Sequence, residues 1–239
     1  MRKTLILIPG LLNDAELWRD QREGLSDIAE CRVADITQGE TLHALAAQIL
    51  SWAPPSFALA GFSLGGYVAQ EIARIAPERI ERLALLDTSI RADSDERAAM
   101  RRRLNQAATA PGRFHGFGDG LLKTYLHPSH LEDKRIVERI RGMTERLGPD
   151  VFVRQNDLDR KDGEATLRML QCPVLILCGE QDSLTPLADH HDMTLVARNS
   201  TLVVVPHSGH MTPIEQPALV TQALREWMLK DQPRRRDGI

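Results

Sequence analysis

The clearest chemical signal in the chain is Gly61-Phe62-Ser63-Leu64-Gly65, which fits the pattern G-x-S-x-G. A serine set between glycines can sit on a sharp strand-to-helix turn that lifts its hydroxyl above a sheet. The motif follows the apolar run Phe57–Phe62 and precedes a helical pattern over Leu64–Ile75, the setting such a turn requires. The start of that helix offers backbone N–H groups and a positive dipole end to a developing oxyanion. A serine hydroxyl is a weak nucleophile at neutral pH, so it needs a base, and the base needs an acid to orient it. Two later stretches supply such groups: Gly179-Glu180-Gln181-Asp182 after the run Val174–Cys178, and Pro206-His207-Ser208-Gly209-His210 after Leu202–Val205. Open α/β sheets bind ligands at loops leaving the C-terminal ends of strands. On residue types alone, His207 competes with His210 as the base. Asp87, ending the run Leu83–Leu86, competes with Asp182 as the acid.

These loops need a scaffold, and the hydrophobic pattern describes one. Thr4–Ile8, Phe57–Phe62, Leu83–Leu86, Val174–Cys178 and Leu202–Val205 are short, continuously apolar runs, with a weaker one at Cys31–Ala34. Continuous rather than alternating apolar runs mark strands buried on both faces, hence a parallel sheet between helices. Amphipathic patterns over Thr41–Trp52, Leu64–Ile75 and Ile214–Lys230 fill the gaps, so strand and helix alternate in βαβ units. From Ser89 to Leu170 no strong strand run occurs. Charged helical patterns run over Asp93–Ala108, Gly120–Tyr125, Leu131–Leu147 and Pro149–Asp159 instead. That segment carries 16 Lys plus Arg against 13 Asp plus Glu, so it is positive while the rest of the chain is negative. The expectation is a doubly wound, mostly parallel α/β sheet of about six strands. Its core spans residues 1–88 and 171–239, with residues 89–170 inserted as an all-helical cap. Phe114, Phe117, Leu121, Leu122, Tyr125 and Phe152 are the candidates for apolar pocket walls, each competing with a role in gluing cap to core.

Composition narrows the partners. The chain has 239 residues, 42% hydrophobic and 26% charged, as expected of an ordinary soluble domain rather than a disordered chain. A net charge of −3 gives no support for binding nucleic acid, which needs a basic surface to displace counterions. No apolar run approaches the length needed to span a bilayer. The start Met1-Arg2-Lys3 with Leu5–Ile8 breaks at Pro9-Gly10 with no cleavage site after it, so a cytoplasmic location is expected. Cys31, Cys172 and Cys178 show no metal or redox spacing and read as buried reduced thiols. His190-His191 reads as a solvated or helix-capping pair, and Asp157, Asp159 and Asp162 as capping or salt-bridge residues. The arginines of the tail Pro233–Ile239 read as solvated.

Taken together, Ile8-Pro9-Gly10-Leu11, the Ser63 motif, Cys178-Gly179-Glu180-Gln181-Asp182 and Ser208-Gly209-His210 resemble the α/β-hydrolase family, and the resemblance covers nearly the whole chain. It implies Ser63 as nucleophile, His210 as base and Asp182 as acid, in the family's chain order. It also implies an oxyanion hole from the backbone N–H groups of Leu11 and Leu64. Where the family often has His-Gly, this chain has Pro9-Gly10. The strand before that turn opens the sequence, so the N-terminal hairpin of larger members is not expected. Serine at the nucleophile position argues against the dehalogenase and epoxide hydrolase branches, which use Asp. The function expected is hydrolysis of a small to medium carboxylic ester or lactone, a small-molecule substrate, with no metal and no organic cofactor. Enol-lactone and C–C bond hydrolases of aromatic catabolism share these motifs and form the alternative, and a non-catalytic binding protein of the same fold is a remoter one.

Overall fold

In the computed structural model, which describes residues 2–110, 114 and 116–230, the apolar runs become one sheet. Its strands are β1 (Lys3–Ile8), β2 (Ala29–Val33), β3 (Phe57–Phe62), β4 (Ile80–Leu86), β5 (Val174–Gly179) and β6 (Ser200–Val205). Their order is β2-β1-β3-β4-β5-β6, and every pairing is parallel. All residues of β3 and β5 are buried, which is why these two read as unbroken apolar segments. The edge strands β2 and β6 keep exposed positions, and β2 was correspondingly faint in the sequence. The reading of Pro233–Ile239 lies outside the described residues.

Ten helices flank the strands among the described residues. They are α1 (Arg19–Gly24), α2 (Leu42–Trp52), α3 (Leu64–Ile75), α4 (Asp95–Thr109), α5 (Asp119–Tyr125), α6 (Lys134–Asn156), α7 (Glu164–Met169), α8 (Leu187–Val196), α9 (Thr212–Glu215) and α10 (Pro217–Leu229). One helix expected from the sequence is divided because of a proline. The helix expected over Ile214–Lys230 is split at Gln216, whose ψ of 59° leaves the helical region as the residue before Pro217 is pushed to do. The patterns Leu131–Leu147 and Pro149–Asp159 stay separate within α6, which is interrupted between them at Gly148 (φ 74°, ψ −179°) just before Pro149, so the break falls where the two patterns were divided. That conformation is open to glycine and costly for other residues.

Helices on both faces build two apolar clusters. One face carries Leu5, Leu7, Phe62, Leu86, Met211 and Trp227; the other carries Ile6, Ile8, Leu59, Val68, Ile72 and Ile176. Between β4 and β5 the described chain forms helices joined by loops, α4 to α7 among them, and no strand. This segment joins the first cluster through Phe117, Leu122, Met143 and Phe152, and the second through Leu158 and Leu167. No described helix is long and apolar enough to cross a membrane.

The turn between β3 and α3 is held by close approaches. A Cβ on Gly61 would lie 2.3 Å from the Gly65 carbonyl oxygen, and one on Gly65 would lie 2.4 Å from the carbonyl oxygens of both Ile8 and Pro9. Backbone atoms cannot yield as a side-chain tip can. Gly65→Ala should therefore destabilise the fold by about 1–3 kcal/mol or more, read as a lowered midpoint in urea. Gly118→Ala, where a Cβ meets nothing within 4 Å, is the matched control and should unfold with the parent.

Candidate active site

Ser63 sits between β3 and α3 with φ 51° and ψ −117°, a left-handed conformation costly for a side-chain-bearing residue. The strain is held in place from both sides. The Ser63 N–H donates to the Leu86 carbonyl at 2.9 Å, and the Ser63 carbonyl accepts from the Thr88 hydroxyl at 2.8 Å and the Gly66 N–H at 2.9 Å. The serine hydroxyl is thus aimed by β4 as well as by its own turn.

His210 comes to it from the loop after β6. Its Nε2 lies 2.9 Å from Ser63 Oγ, and its Nδ1 lies 2.8 Å from Asp182 Oδ2. A carboxylate oxygen can only accept, so Nδ1 carries the proton and Nε2 is left to accept from the Ser63 hydroxyl. The imidazole is 2% exposed and wedged between the rings of Phe62 and Tyr125, each with its centroid 5.3 Å away. Its own N–H donates to the Tyr125 carbonyl at 2.7 Å. His207, the rival base, has φ 52°, is exposed and packs edge-on against His127 instead.

Asp182 serves its histidine and its own turn at once. Its Oδ2 meets His210 and accepts from the Thr185 hydroxyl at 2.6 Å. Its Oδ1 accepts from the N–H groups of Leu184 and Thr185 at 2.8 and 3.1 Å. The carboxylate therefore organises the turn that follows it, while Pro186 stands at the start of α8. Burial works against its charge, but His210 and the hydrogen bonds from His210 and Thr185 outweigh this and hold its carboxyl below the usual carboxylate range.

Asp87 takes a different position. Its Oδ1 accepts from the Gly179 N–H at 2.9 Å and its Oδ2 pairs with the Thr212 hydroxyl, so it ties the ends of β4 and β5 to the start of α9. Complete burial, with the Asp182 charge nearby, pushes its pKa well up. Gly179 also permits the acid and histidine loops to meet, since a Cβ there would lie 1.9 Å from the Gly209 carbonyl oxygen.

Of the two expected backbone donors, one directly follows the serine in the chain. Leu64 opens α3, so its N–H has no partner carbonyl within the helix. Leu11 follows Pro9-Gly10 at the end of β1, and the next N–H, that of Leu12, is taken by Gln155 Oε1 at 2.8 Å. Leu12 itself has φ 51°.

Several site residues were not legible in advance. Thr185 and Gln155 are among them, and Glu215 is the most connected. Its buried carboxylate accepts from the His127 and Met211 N–H groups at 2.7 and 3.0 Å and pairs with His130 Nδ1 at 2.9 Å, with the Ser208 hydroxyl 3.4 Å away. It thereby clamps both flanks of His210 to the segment after α5. Its one sequence signal was an acidic residue standing among the apolar positions of Met211-Thr212-Pro213-Ile214.

Other expectations fare differently. His190 is buried rather than solvated. Its Nε2 accepts from the Thr88 N–H at 3.3 Å and its Nδ1 faces the Pro186 carbonyl at 3.2 Å, while burial lowers its pKa; His191 is exposed. Asp162 accepts from the Glu164 N–H where α7 begins, and Asp157 accepts from Asn105. Phe117, Leu122 and Phe152 are core residues, whereas Phe114, Leu121 and Tyr125 keep exposed surface. Cys178 is buried, and Cys31 and Cys172 are half-buried with burial raising both thiols to about 11. Among the described residues no three His, Cys, Asp or Glu side chains gather as a metal site.

A model of the family described as the alpha/beta hydrolase family matches residues 5–223. The pimeloyl-[acyl-carrier protein] methyl ester esterase of Pectobacterium carotovorum is 27% identical, over 91% of this chain and 91% of its own. A biotin biosynthesis bifunctional protein of Cellvibrio japonicus is 25% identical over 95% of this chain, which spans 47% of that protein's length. Among solved structures, a thermophilic esterase from Thermogutta terrifontis superposes with a TM-score of 0.82 at 31% identity, covering 95% of this chain and 89% of its own.

Proposed function

The chain belongs to the alpha/beta hydrolase family and is a hydrolase acting on ester bonds; from this premise we propose that it cleaves a small to medium carboxylic ester or lactone through an acyl-enzyme on Ser63. The observation that carries this reading is the continuous hydrogen-bonded line Asp182–His210–Ser63 at the C-terminal ends of three strands. In the first half-reaction Ser63 Oγ attacks the substrate carbonyl as His210 Nε2 takes its proton. The tetrahedral oxyanion is received by the N–H groups of Leu64 and Leu11. His210 then returns the proton to the leaving alkoxide, which departs as the alcohol and leaves the acyl group on Ser63. In the second half a water, deprotonated by His210, attacks the acyl carbon and releases the acid. Asp182 keeps the Nδ1–H tautomer throughout and stabilises the imidazolium while it exists.

In the same reading residues 1–88 and 171–239 form the catalytic core and residues 89–170 the cap that shapes the pocket. The cap reaches the site through Tyr125 beside His210 and Gln155 on the Leu12 N–H.

The test is pre-steady-state hydrolysis of p-nitrophenyl esters of graded acyl length beside lactones and enol lactones. The expected result is a burst of p-nitrophenol of one equivalent per chain, the mark of an accumulating acyl-enzyme. Turnover of the series without a burst, and without labelling of Ser63 by a fluorophosphonate, would overturn the mechanism. A preference for enol lactones over every ester in the panel moves the substrate class and leaves the triad in place.

A further inference from the structure

One buried cation near the site has no counterion. Arg160, on the segment between α6 and α7, is 9% exposed. Its Nη1 donates to the carbonyls of Asn156 and Leu158 at 3.1 and 2.8 Å, while its Nε and Nη2 have no partner among the described residues. Arg101 of α4 donates to the same two carbonyls and pairs with Asp93. Asp93 is the carboxylate whose charge reaches Arg160, so two guanidiniums share one carboxylate and one positive charge is left over. Burial, reinforced by the like charge of Arg101, lowers the Arg160 pKa to about 10. It stays protonated at neutral pH, and a buried cation without a partner is a standing cost.

The position of this charge follows from its neighbours along the chain. Five residues earlier, Gln155 holds the Leu12 N–H beside the β1 turn. Three residues later, Gly163 lies against Gln70 of α3 and donates to the Ile90 carbonyl. The segment therefore crosses from the Leu11–Leu12 loop to α3, the two elements that flank Ser63. The Arg160 charge acts on the phenols of Tyr67, on the first turn of α3, and of Tyr125, whose ring stands edge-on to His210.

We propose that Arg160 is a specificity residue that grips a carboxylate carried by the substrate, so that the preferred substrate is a half-ester of a dicarboxylic acid or a lactone bearing a carboxylate. Nε and Nη2 form one edge of the planar guanidinium, the edge that takes a carboxylate with two parallel N–H···O bonds. Nη1, on the other side, is already spent on the two carbonyls that fix the plane. An ammonium in its place would supply the charge without the fork.

The inference rests on the esterase reading, and the experiment separates the two. Rates are compared within matched pairs. Mono-p-nitrophenyl glutarate against p-nitrophenyl butyrate places the carboxylate on the acyl side, and 4-acetoxybenzoate against phenyl acetate places it on the leaving group. The parent should favour the carboxylated member of at least one pair by about tenfold or more in kcat/KM, equally in low and high salt, because a buried pair is little screened. Arg160→Gln should remove that ratio, and Arg160→Lys should keep only part of it. The ratio within one variant cancels any general loss of folded protein. Absence of a preference in both pairs overturns the proposal. So does a preference that survives Arg160→Gln, or one that vanishes in high salt as a diffuse surface field would. Hydrolysis of the neutral esters that persists in Ser63→Ala instead overturns the esterase reading itself.

Discussion

Ser63→Ala is expected to fold as the parent does and to lose hydrolysis by about 10⁴–10⁶ in kcat, the range seen when a triad nucleophile is removed. The fold survives because the elbow is fixed by its backbone. The Leu86 carbonyl, the Thr88 hydroxyl and the Gly66 N–H all bond to main-chain atoms of residue 63, and none of these bonds uses Oγ. Alanine at φ 51° carries the same strain as serine, so stability should move by less than about 1 kcal/mol. Only the line to His210 is lost. The parent should take up one equivalent of fluorophosphonate at Ser63 and the variant none, read by mass spectrometry. Ester hydrolysis by Ser63→Ala within tenfold of the parent, with the midpoint in urea unchanged, would remove the acyl-enzyme from this site.

What could be read in advance was short-range. The Ser63 turn, the two glycine-containing loops and the strands before them are each specified within about ten residues. Hydrophobic runs and punctuating glycines report on such spans. The interior strands declared themselves because burial on both faces leaves no polar positions. β2 was fainter because an edge strand keeps them, whereas β6, the other edge, still carried the apolar run Leu202–Val205 despite its exposed positions. Helix patterns held, including the division at Gly148 between the two patterns on either side of it, apart from the break at Gln216, where a following proline overrides the periodicity. The supporting residues of the site depend on contacts the sequence does not print. Glu215 bonds to His127 and His130 across more than eighty residues, and Gln155 to Leu12 across more than a hundred. Arg160 stood among sixteen basic residues of its segment, with nothing local to mark it as the buried one. His190 misled for the same reason, since a His-His pair on a helix reads as surface until the Thr88 N–H is found on its ring.

Asp182→Asn and Asp87→Asn should part by orders of magnitude. Both replace a buried carboxyl by an amide of the same shape, yet the two carboxyls face different partners. Asp182 accepts three hydrogen bonds within its own turn and one from His210 Nδ1. An asparagine can keep the turn by presenting its oxygen to Leu184 and Thr185. Its NH₂ then faces His210, which must offer Nδ1 as an acceptor and put its proton on Nε2. That tautomer cannot take the proton of Ser63, and the cost is on the order of 10⁴ in kcat with KM little changed. Asp87 makes no contact with His210. It accepts from the Gly179 N–H and pairs with the Thr212 hydroxyl, and complete burial beside Asp182 favours its neutral acid form. A neutral carboxyl has one acceptor oxygen and one donor, as an asparagine does, so Asp87→Asn can accept from Gly179 and donate to Thr212 with both bonds kept. It also leaves the field at Asp182 unchanged if Asp87 was uncharged to begin with. Asp87→Asn is therefore expected to keep kcat within a few-fold, and Asp182→Asn to stay folded while losing nearly all of it. Steady-state kinetics on one neutral ester, with urea midpoints for both variants, decides between them. A large kcat loss in Asp87→Asn beside a mild one in Asp182→Asn would transfer the acid to the end of β4.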